Sequence, residues 1–317
     1  MLFIKCVQGT TLKFLAENLK EFVQDCNLIF SKEGIILFDI DHSRIALSHC
    51  FLHAERFEEY TITKRHVCGI YMNNLYNVLK NVIPSDIVKI KINDDEPFKM
   101  YIIVENVHDL IRSTYEINLM NIEEDDFSFP TEEFSSITYL PSVRLQRIFR
   151  ELASVSETVC IRSQEDRLQF ICNSEFGKVE KTFFKDDKAT TDSPIEFKKS
   201  SNELQEGHFL TRYLKLFTKA KSVSDWVELY LQKDFPLILK YKVSSLGELI
   251  FVLSPTTDKK VDNHIQENTQ SQPSISQSSE TIPIAEPSQI KKEETSKKRK
   301  RAKKTKKENP FHKLGKN

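Results

Sequence analysis

Four short segments of the chain place apolar residues at positions i, i+3, i+4 and i+7, the spacing of one buried face on an α-helix. Leu12, Leu15, Ala16 and Leu19 form the first stripe, and Leu75, Val78, Leu79 and Val82 the second. Leu145, Ile148, Phe149 and Leu152 form the third, and Tyr213, Leu216, Phe217 and Ala220 the fourth. The third lies 133 residues after the first and the fourth 138 after the second, which reads as an internal duplication.

The segments after each helix carry the same repeat. "NLIFSKEGIILF" (27–38) follows the first and "CIRSQEDRLQF" (160–170) the third; in the 133-residue register Leu28 meets Ile161, Glu33 meets Asp166, Ile35 meets Leu168 and Leu37 meets Phe170. "PSDIVKIKI" (84–92) follows the second helix and "VSDWVELYL" (223–231) the fourth. Both are a Ser-Asp turn leading into alternation of period two, the signature of a strand. The alternation goes on in "RIALSHCFL" (44–52), "FKMYIIVE" (98–105), "PLILKYKV" (236–243) and "ELIFVLS" (248–254).

The pattern predicts an α+β protein of two similar domains, each an antiparallel sheet covered on one face by two helices. The first domain spans residues 1–120 and the second 134–255. Between them, 121–133 holds the acidic "NIEEDDFSFP", which has no periodicity and reads as a connector. From 256 to 317 the composition turns to Gln, Ser and Pro and then to a basic run, which predicts a disordered tail.

Charge sharpens this picture. Lys plus Arg equals Asp plus Glu, 46 each, yet residues 256–317 hold 15 basic and 8 acidic residues. The remaining 255 residues therefore hold 31 basic against 38 acidic. On an acidic body, the cations gathered beside the fourth stripe, Arg212, Lys215 and Lys219 in "RYLKLFTKA", form a local concentration. The tail run "KKEETSKKRKRAKKTKK" (291–307), with Lys297, Lys298, Arg299, Lys300, Arg301, Lys303 and Lys304 at its centre, reads as a nuclear localisation signal, a nucleic-acid tether or a solvated tail.

Chemistry is sparse. There is no GxxxxGK[ST], GxGxxG or GxSxG, and seven glycines leave little for phosphate-cradling loops. His49, Cys50, His53, His66 and Cys68 are the best metal candidates, but His49 and Cys50 are neighbours on a predicted strand and point to opposite faces. The acidic pairs Asp39/Asp41 and Asp94/Asp95 flank turns, where acids are common. The six cysteines have no framework spacing and read as reduced, buried thiols of an intracellular protein. No apolar run reaches the roughly 18 residues of a membrane span, and Met1 leads straight into a strand-like segment, so neither a membrane partner nor secretion is expected. The expectation is a protein that is not an enzyme and carries neither cofactor nor metal.

"CVQGTTLKFLAENLKEF" (6–22), "GIILFDIDHSRIAL" (34–47), "RYLKLFTKA" (212–220) and "LGELIFVLSP" (246–255) resemble proliferating cell nuclear antigen, the eukaryotic-type DNA sliding clamp family. The resemblance runs from Met1 to about Pro255, with several motifs in the same order and spacing. It implies a homotrimeric ring around duplex DNA, held without regard to base sequence, with helices lining the hole and sheets outside. It also implies a non-catalytic processivity factor for replication and repair that tethers DNA polymerase and other partners and needs an ATP-dependent clamp loader. The positions matching the family's channel cations are Lys13, Lys20, Lys80, Arg147, Arg150, Arg212 and Lys219, to which the helical face adds Lys215. Phe14, Asn77 and Ser154 stand where the family commonly has cations.

The resemblance further implies a pocket for peptides of the form Gln-x-x-aliphatic-x-x-aromatic-aromatic. Its matching positions are Ile40, Ile45, Leu47, Phe129, Pro130, Pro236, Val252, Ser254 and Pro255, with Val252 in place of a tyrosine. Subunit contacts are implied for 110–119, with Tyr115, and for 176–184, with Val179 and Phe183. Glu165 stands at the family's ubiquitin-acceptor lysine. A subunit of the related heterotrimeric checkpoint clamp and a monomeric DNA-binding protein dependent on its basic tail are the alternatives. The site of action is nuclear, or a cytoplasmic viral replication site for a clamp encoded by a large DNA virus.

Overall fold

In a computed structural model, the duplication read from the sequence becomes two copies of one succession of elements. The structure describes residues 1–41, 43–124, 133–175, 177–185 and 195–256. The first copy runs β1 (Leu2–Cys6), α1 (Gly9–Leu19), β2 (Asp25–Phe30), β3 (Gly34–Ile40), β4 (Ala46–His53) and β5 (Glu59–Ile62). It continues through β6 (His66–Tyr71), α2 (Met72–Leu79), β7 (Asp86–Ile92), β8 (Lys99–Asn106) and β9 (Ile111–Asn118). The second copy repeats that order as β10 (Ser136–Pro141), α3 (Ser142–Leu152), β11 (Thr158–Gln164), β12 (Arg167–Ser174), β13 (Gly177–Phe184) and β14 (Glu196–Lys199). It ends with β15 (Gln205–Leu210), α4 (Thr211–Phe217), β16 (Trp226–Leu231), β17 (Leu237–Val243) and β18 (Gly247–Leu253).

All strand pairings among the described residues are antiparallel. They build a five-stranded sheet in the order β5, β1, β7, β8, β9 and a four-stranded sheet in the order β13, β12, β11, β15. The third sheet has nine strands, β14, β10, β16, β17, β18, β4, β3, β2, β6, and takes strands from both copies. Its two halves meet where β18 pairs with β4, from Gly247 opposite Leu52 to Leu253 opposite Ala46. The backbones come so close there that a Cβ on Gly247 would lie 1.9 Å from the Phe51 carbonyl oxygen.

Side chains lock the same junction. Phe217 stacks on Phe251 with ring centroids 4.4 Å apart, and Phe22 from the first copy meets Phe217 edge-on at 5.5 Å. Asn18 donates to Ser222 Oγ at 2.6 Å and Lys219 pairs with Glu21 at 2.8 Å. Most of the large apolar side chains on the inner faces of the sheets, with the four helical stripes, form one core that includes Leu15, Leu79, Leu145 and Phe217. The six cysteines are free and buried.

Two features differ from the sequence pattern. α2 ends at Leu79, so Val82, though buried, lies in the turn beyond it. α4 is helical only to Phe217 and tightens into a 3-10 turn over Thr218–Ser222. Thr218 there turns its hydroxyl back onto the Leu214 carbonyl at 2.8 Å, a bond that competes with the α-helical ladder. The start of the connector is anchored on the first copy. Met120 N–H donates to the Gly69 carbonyl at 2.8 Å, and Asn27 Nδ2 donates to the Ile122 carbonyl at 3.1 Å. Arg65 and Glu124 are ion-paired beside it.

A polar latch also crosses between the copies. The Tyr213 hydroxyl on α4 donates to Asp41 Oδ2 at 2.6 Å, while the Ile45 and Ala46 N–H groups donate to Oδ1 at 2.8 and 2.7 Å. Burial alone would raise this carboxyl, but bonds from Ser43, Tyr213 and the two amides outweigh it and bring it to about 2. The folded carboxyl thus titrates below its unfolded value, so its stabilisation is full above that value and is lost as pH falls towards 2. Tyr213→Phe is expected to cost about 1 kcal/mol at pH 6, the usual net worth of one hydrogen bond, here to a half-buried carboxylate. Urea unfolding of both proteins from pH 6 down to pH 2.5 should show the difference shrinking; a constant difference would mean that Asp41 is not the partner that counts.

Candidate functional site

The helices form one layer. α1 lies against α2 on one side and against the Thr218–Ser222 turn on the other, and α4 and that turn lie against α3. Each helix turns its apolar stripe to the sheets, burying it fully in α1 and α3 and partly in α2 and α4, so the opposite sides share a single solvent-facing surface. Lys80, Arg147, Arg150, Arg212 and Lys215 are exposed on it. Arg212 also lies over the Tyr213 ring, 4.9 Å from its centroid. Lys219, half-buried on the turn, is held by Glu21, and that hydrogen bond draws the Glu21 carboxyl below its usual range.

The other two predicted cations stand differently. Lys13 is half-buried and its Nζ donates to the Val82 carbonyl at 3.0 Å. Lys20 caps the end of α1 and lies over the Tyr76 ring at 3.7 Å. Both sit on the flank of α1 that faces α2. Two further cations of this layer are not among the family-matched positions: Arg144, half-buried one turn before Arg147, and Lys221, exposed on the 3-10 turn. Helical spacing from Arg147 was the available signal for Arg144.

The outer face of the nine-stranded sheet carries a second apolar cluster. Alternation along β18 sends Leu249, Phe251 and Leu253 inward to the core and Ile250 and Val252 outward. Strand register then lines up a row across both copies: Ile40 opposite Leu47, Leu47 opposite Val252, Val252 opposite Ile238, Ile238 opposite Tyr230 and Tyr230 opposite Ile137. Phe134 adds its ring to Tyr230, centroids 5.6 Å apart. Three predicted pocket residues, Ile40, Leu47 and Val252, thus fall in one row. Ile45 departs from the expectation: it packs against the main core, on the inner side of the sheet. Pro236, Ser254 and Pro255 are half-buried at the ends of β17 and β18, where Ser254 N–H donates to the Ile45 carbonyl at 2.9 Å. Phe129 and Pro130 lie outside the described residues, as do Lys297, Lys298, Arg299, Lys300, Arg301, Lys303 and Lys304 of the tail. Ile238, Tyr230 and Ile137 were missed, although the alternation of "PLILKYKV" marks Ile238.

Two sheet edges complete the surface. β9 ends the five-stranded sheet and β13 ends the four-stranded one, so each has one side unpaired among the described residues. Tyr115 on β9 stands opposite Ile102 and is partly exposed, with exposed Leu110 and Ile111 at the strand's start. On β13, Val179 and Phe183 pack partly against the core, and Phe184 is exposed. Glu165 sits in the β11–β12 turn with φ 49°, its N–H donating to the Ser201 carbonyl at 2.8 Å. Of the metal candidates, Cys50 and Cys68 belong to the core, and His49 lies opposite Phe38 and Ile250 across the strands.

Two family models match the chain end to end over its described body. "Proliferating cell nuclear antigen, N-terminal domain" matches residues 1–127, and "Proliferating cell nuclear antigen, C-terminal domain" matches residues 128–256. Among curated proteins, "Probable DNA polymerase sliding clamp 1" of Paramecium bursaria Chlorella virus 1 is 28% identical over 259 residues, which cover 80% of this chain and 95% of the relative.

Proposed function

The chain belongs to the proliferating cell nuclear antigen family and is a DNA sliding clamp, and on that premise we propose that three copies close head to tail into a ring around duplex DNA. In this reading it is a non-catalytic tether that keeps DNA polymerase on its template. Weak contacts with DNA suffice, because escape requires opening the ring. A closed ring also calls for a loader that spends ATP, since the chain has no nucleotide-binding motif of its own. Replication in the nucleus, or at a viral replication site in keeping with the viral relative, is the setting proposed.

The observation that carries the ring is the repeat itself. Within the chain, the fourth strand of the first copy, β4, pairs with the last strand of the second, β18. Their counterparts are the fourth strand of the second copy, β13, and the last strand of the first, β9, and each of these ends its sheet with one side unpaired among the described residues. Matching the sheet registers copy to copy sets Tyr115 at the place of Phe251 and Val179 at that of Ser48. The same pairing made between chains sets Tyr115 opposite Val179, Ile111 opposite Phe183, Leu110 opposite Phe184 and Glu116 opposite Lys178 of the neighbouring copy. It covers exposed apolar side chains on both edges and joins opposite charges. Unlike edges make a heterologous contact, which closes a ring when the rotation allows.

Light scattering of the full chain is expected to give three times its 37.0 kDa mass over a wide concentration range. A monomer at every concentration would overturn the homotrimer and favour a ring with other chains. Ser113→Cys combined with Lys181→Cys, opposite each other in the same register, should link chains covalently on oxidation. Trimers that never cross-link would overturn that register.

The outer apolar row is proposed to receive partner peptides as a helical turn with apolar side chains inserted. Its support is that Leu47, Val252 and Ile238 stand side by side across three strands, with Phe134 and Tyr230 beside them. Val252→Asp should weaken binding of a Gln-x-x-aliphatic-x-x-aromatic-aromatic peptide at least tenfold, as measured by fluorescence anisotropy, and leave the solution mass unchanged. Undiminished binding would move the peptide site elsewhere.

A further inference from the structure

We infer that the attraction for the DNA backbone resides in the second copy alone, in Arg144, Arg147 and Arg150 of α3 with Arg212, Lys215 and Lys221 on and after α4. This rests on the reading of the helical layer as the lining of a ring, and it assigns the charge within that layer.

The duplication makes the comparison direct. In the 133-residue register Thr11 meets Arg144, Phe14 meets Arg147 and Glu17 meets Arg150. At each of these three steps along the helix, an arginine of α3 replaces an uncharged or acidic residue of α1. Phe14 is exposed on α1 and Glu21 just beyond its end, with Glu17 half-buried between them, while the half-buried Lys13 and Lys20 turn to the flank against α2. α2 shows Asn74 and Asn77 to solvent, and just beyond its end stand Lys80, the one cation of this segment, and Asn81, both exposed. Over 9–21 and 72–81 the sequence holds three cations and two acids; over 142–154 and 211–222 it holds seven and one.

Ion pairs shift the contrast without removing it. The one acid of α3, Glu151, is engaged at 2.9 Å by Lys181 of the four-stranded sheet, so it does not offset the arginines beside it. Arg150 donates to the neutral Gln146 Oε1 at 3.2 Å and keeps its charge for a ligand. The pair of Glu21 with Lys219 takes one acid from the first copy and one cation from the second, which narrows the contrast but leaves the arginines of α3 with Arg212, Lys215 and Lys221 in excess. With a Debye length of about 8 Å at physiological salt, a phosphate responds to the sector it faces and hardly to the next. A ring of three such chains then presents three strongly cationic sectors separated by three nearly neutral ones. A duplex in the hole is drawn off the axis towards a second-copy sector.

The test removes three charges from either copy in the full chain. One variant is Arg144→Gln, Arg147→Gln and Arg150→Gln together; the other is Lys13→Gln, Lys20→Gln and Lys80→Gln together. Affinity for a short duplex is read by fluorescence anisotropy across a salt series, with light scattering as a check on assembly. The α3 variant is expected to bind at least tenfold more weakly at low salt and to lower the slope of log K against log salt by about 2 to 3. The first-copy variant should change affinity less than twofold. Should the α3 variant fail to assemble, Arg212→Gln with Lys215→Gln and Lys221→Gln poses the same question. Equal losses from both copies would overturn the inference and leave the ring reading standing. No loss from either would overturn both, and assign DNA binding to cations outside the helical layer.

Discussion

The pairing of β4 with β18 is the constraint from which the rest of the molecule follows. It fuses half of each copy into one nine-stranded sheet and so sets the helices of both copies side by side as a single layer. Phe22, Phe217 and Phe251 fill the space beneath that joint, and the close approach at Gly247 lets the two backbones meet. The copies are consequently not independent beads on a connector. Hydrogen-bonded backbone and an aromatic cluster hold them in one orientation, and Asp41 and Tyr213 add a polar tie.

The same register divides the chemistry of the two faces. On β18 the residues that point inward are Leu249, Phe251 and Leu253, and those that point outward are Ile250 and Val252. A slip of one residue would exchange the two sets, putting Phe251 in water and breaking the row that runs from Ile40 to Ile137. An apolar outer face and a cationic inner one are therefore two readings of a single pairing. Residues 1–255 together are acidic, so the cations of the helical layer stand out against the rest of that stretch.

Much of this was legible in the sequence. Period 3.6 located the four helices, and the 133-residue recurrence located the duplication, because both depend on local spacing. The register between β4 and β18 was not legible, since the strands lie some 200 residues apart and their alternation fits equally well after a shift of two. That register brings Ile238 and Tyr230 into the outer row and turns Ile45 inward. Matching positions to a family also set Lys13 and Lys20 among the exposed cations. Their side chains answer to a neighbouring helix, to the Val82 carbonyl and the Tyr76 ring, which no pattern within α1 discloses. The 3-10 ending of α4, where the Thr218 hydroxyl donates to the Leu214 carbonyl, was likewise hidden.

The open edges β9 and β13 are unlike: one belongs to a five-stranded sheet of the first copy, the other to a four-stranded sheet of the second. Any assembly closed through them runs in a single rotational sense, with every chain facing the same way. Such an assembly has a front and a back. All its outer rows open in the same orientation, and all its chains leave Thr256 on the same side. Threaded on a duplex, whose two strands run in opposite senses, it has polarity: a partner seated on one face meets the growing end of the new strand, and a partner on the other meets only what has already been made.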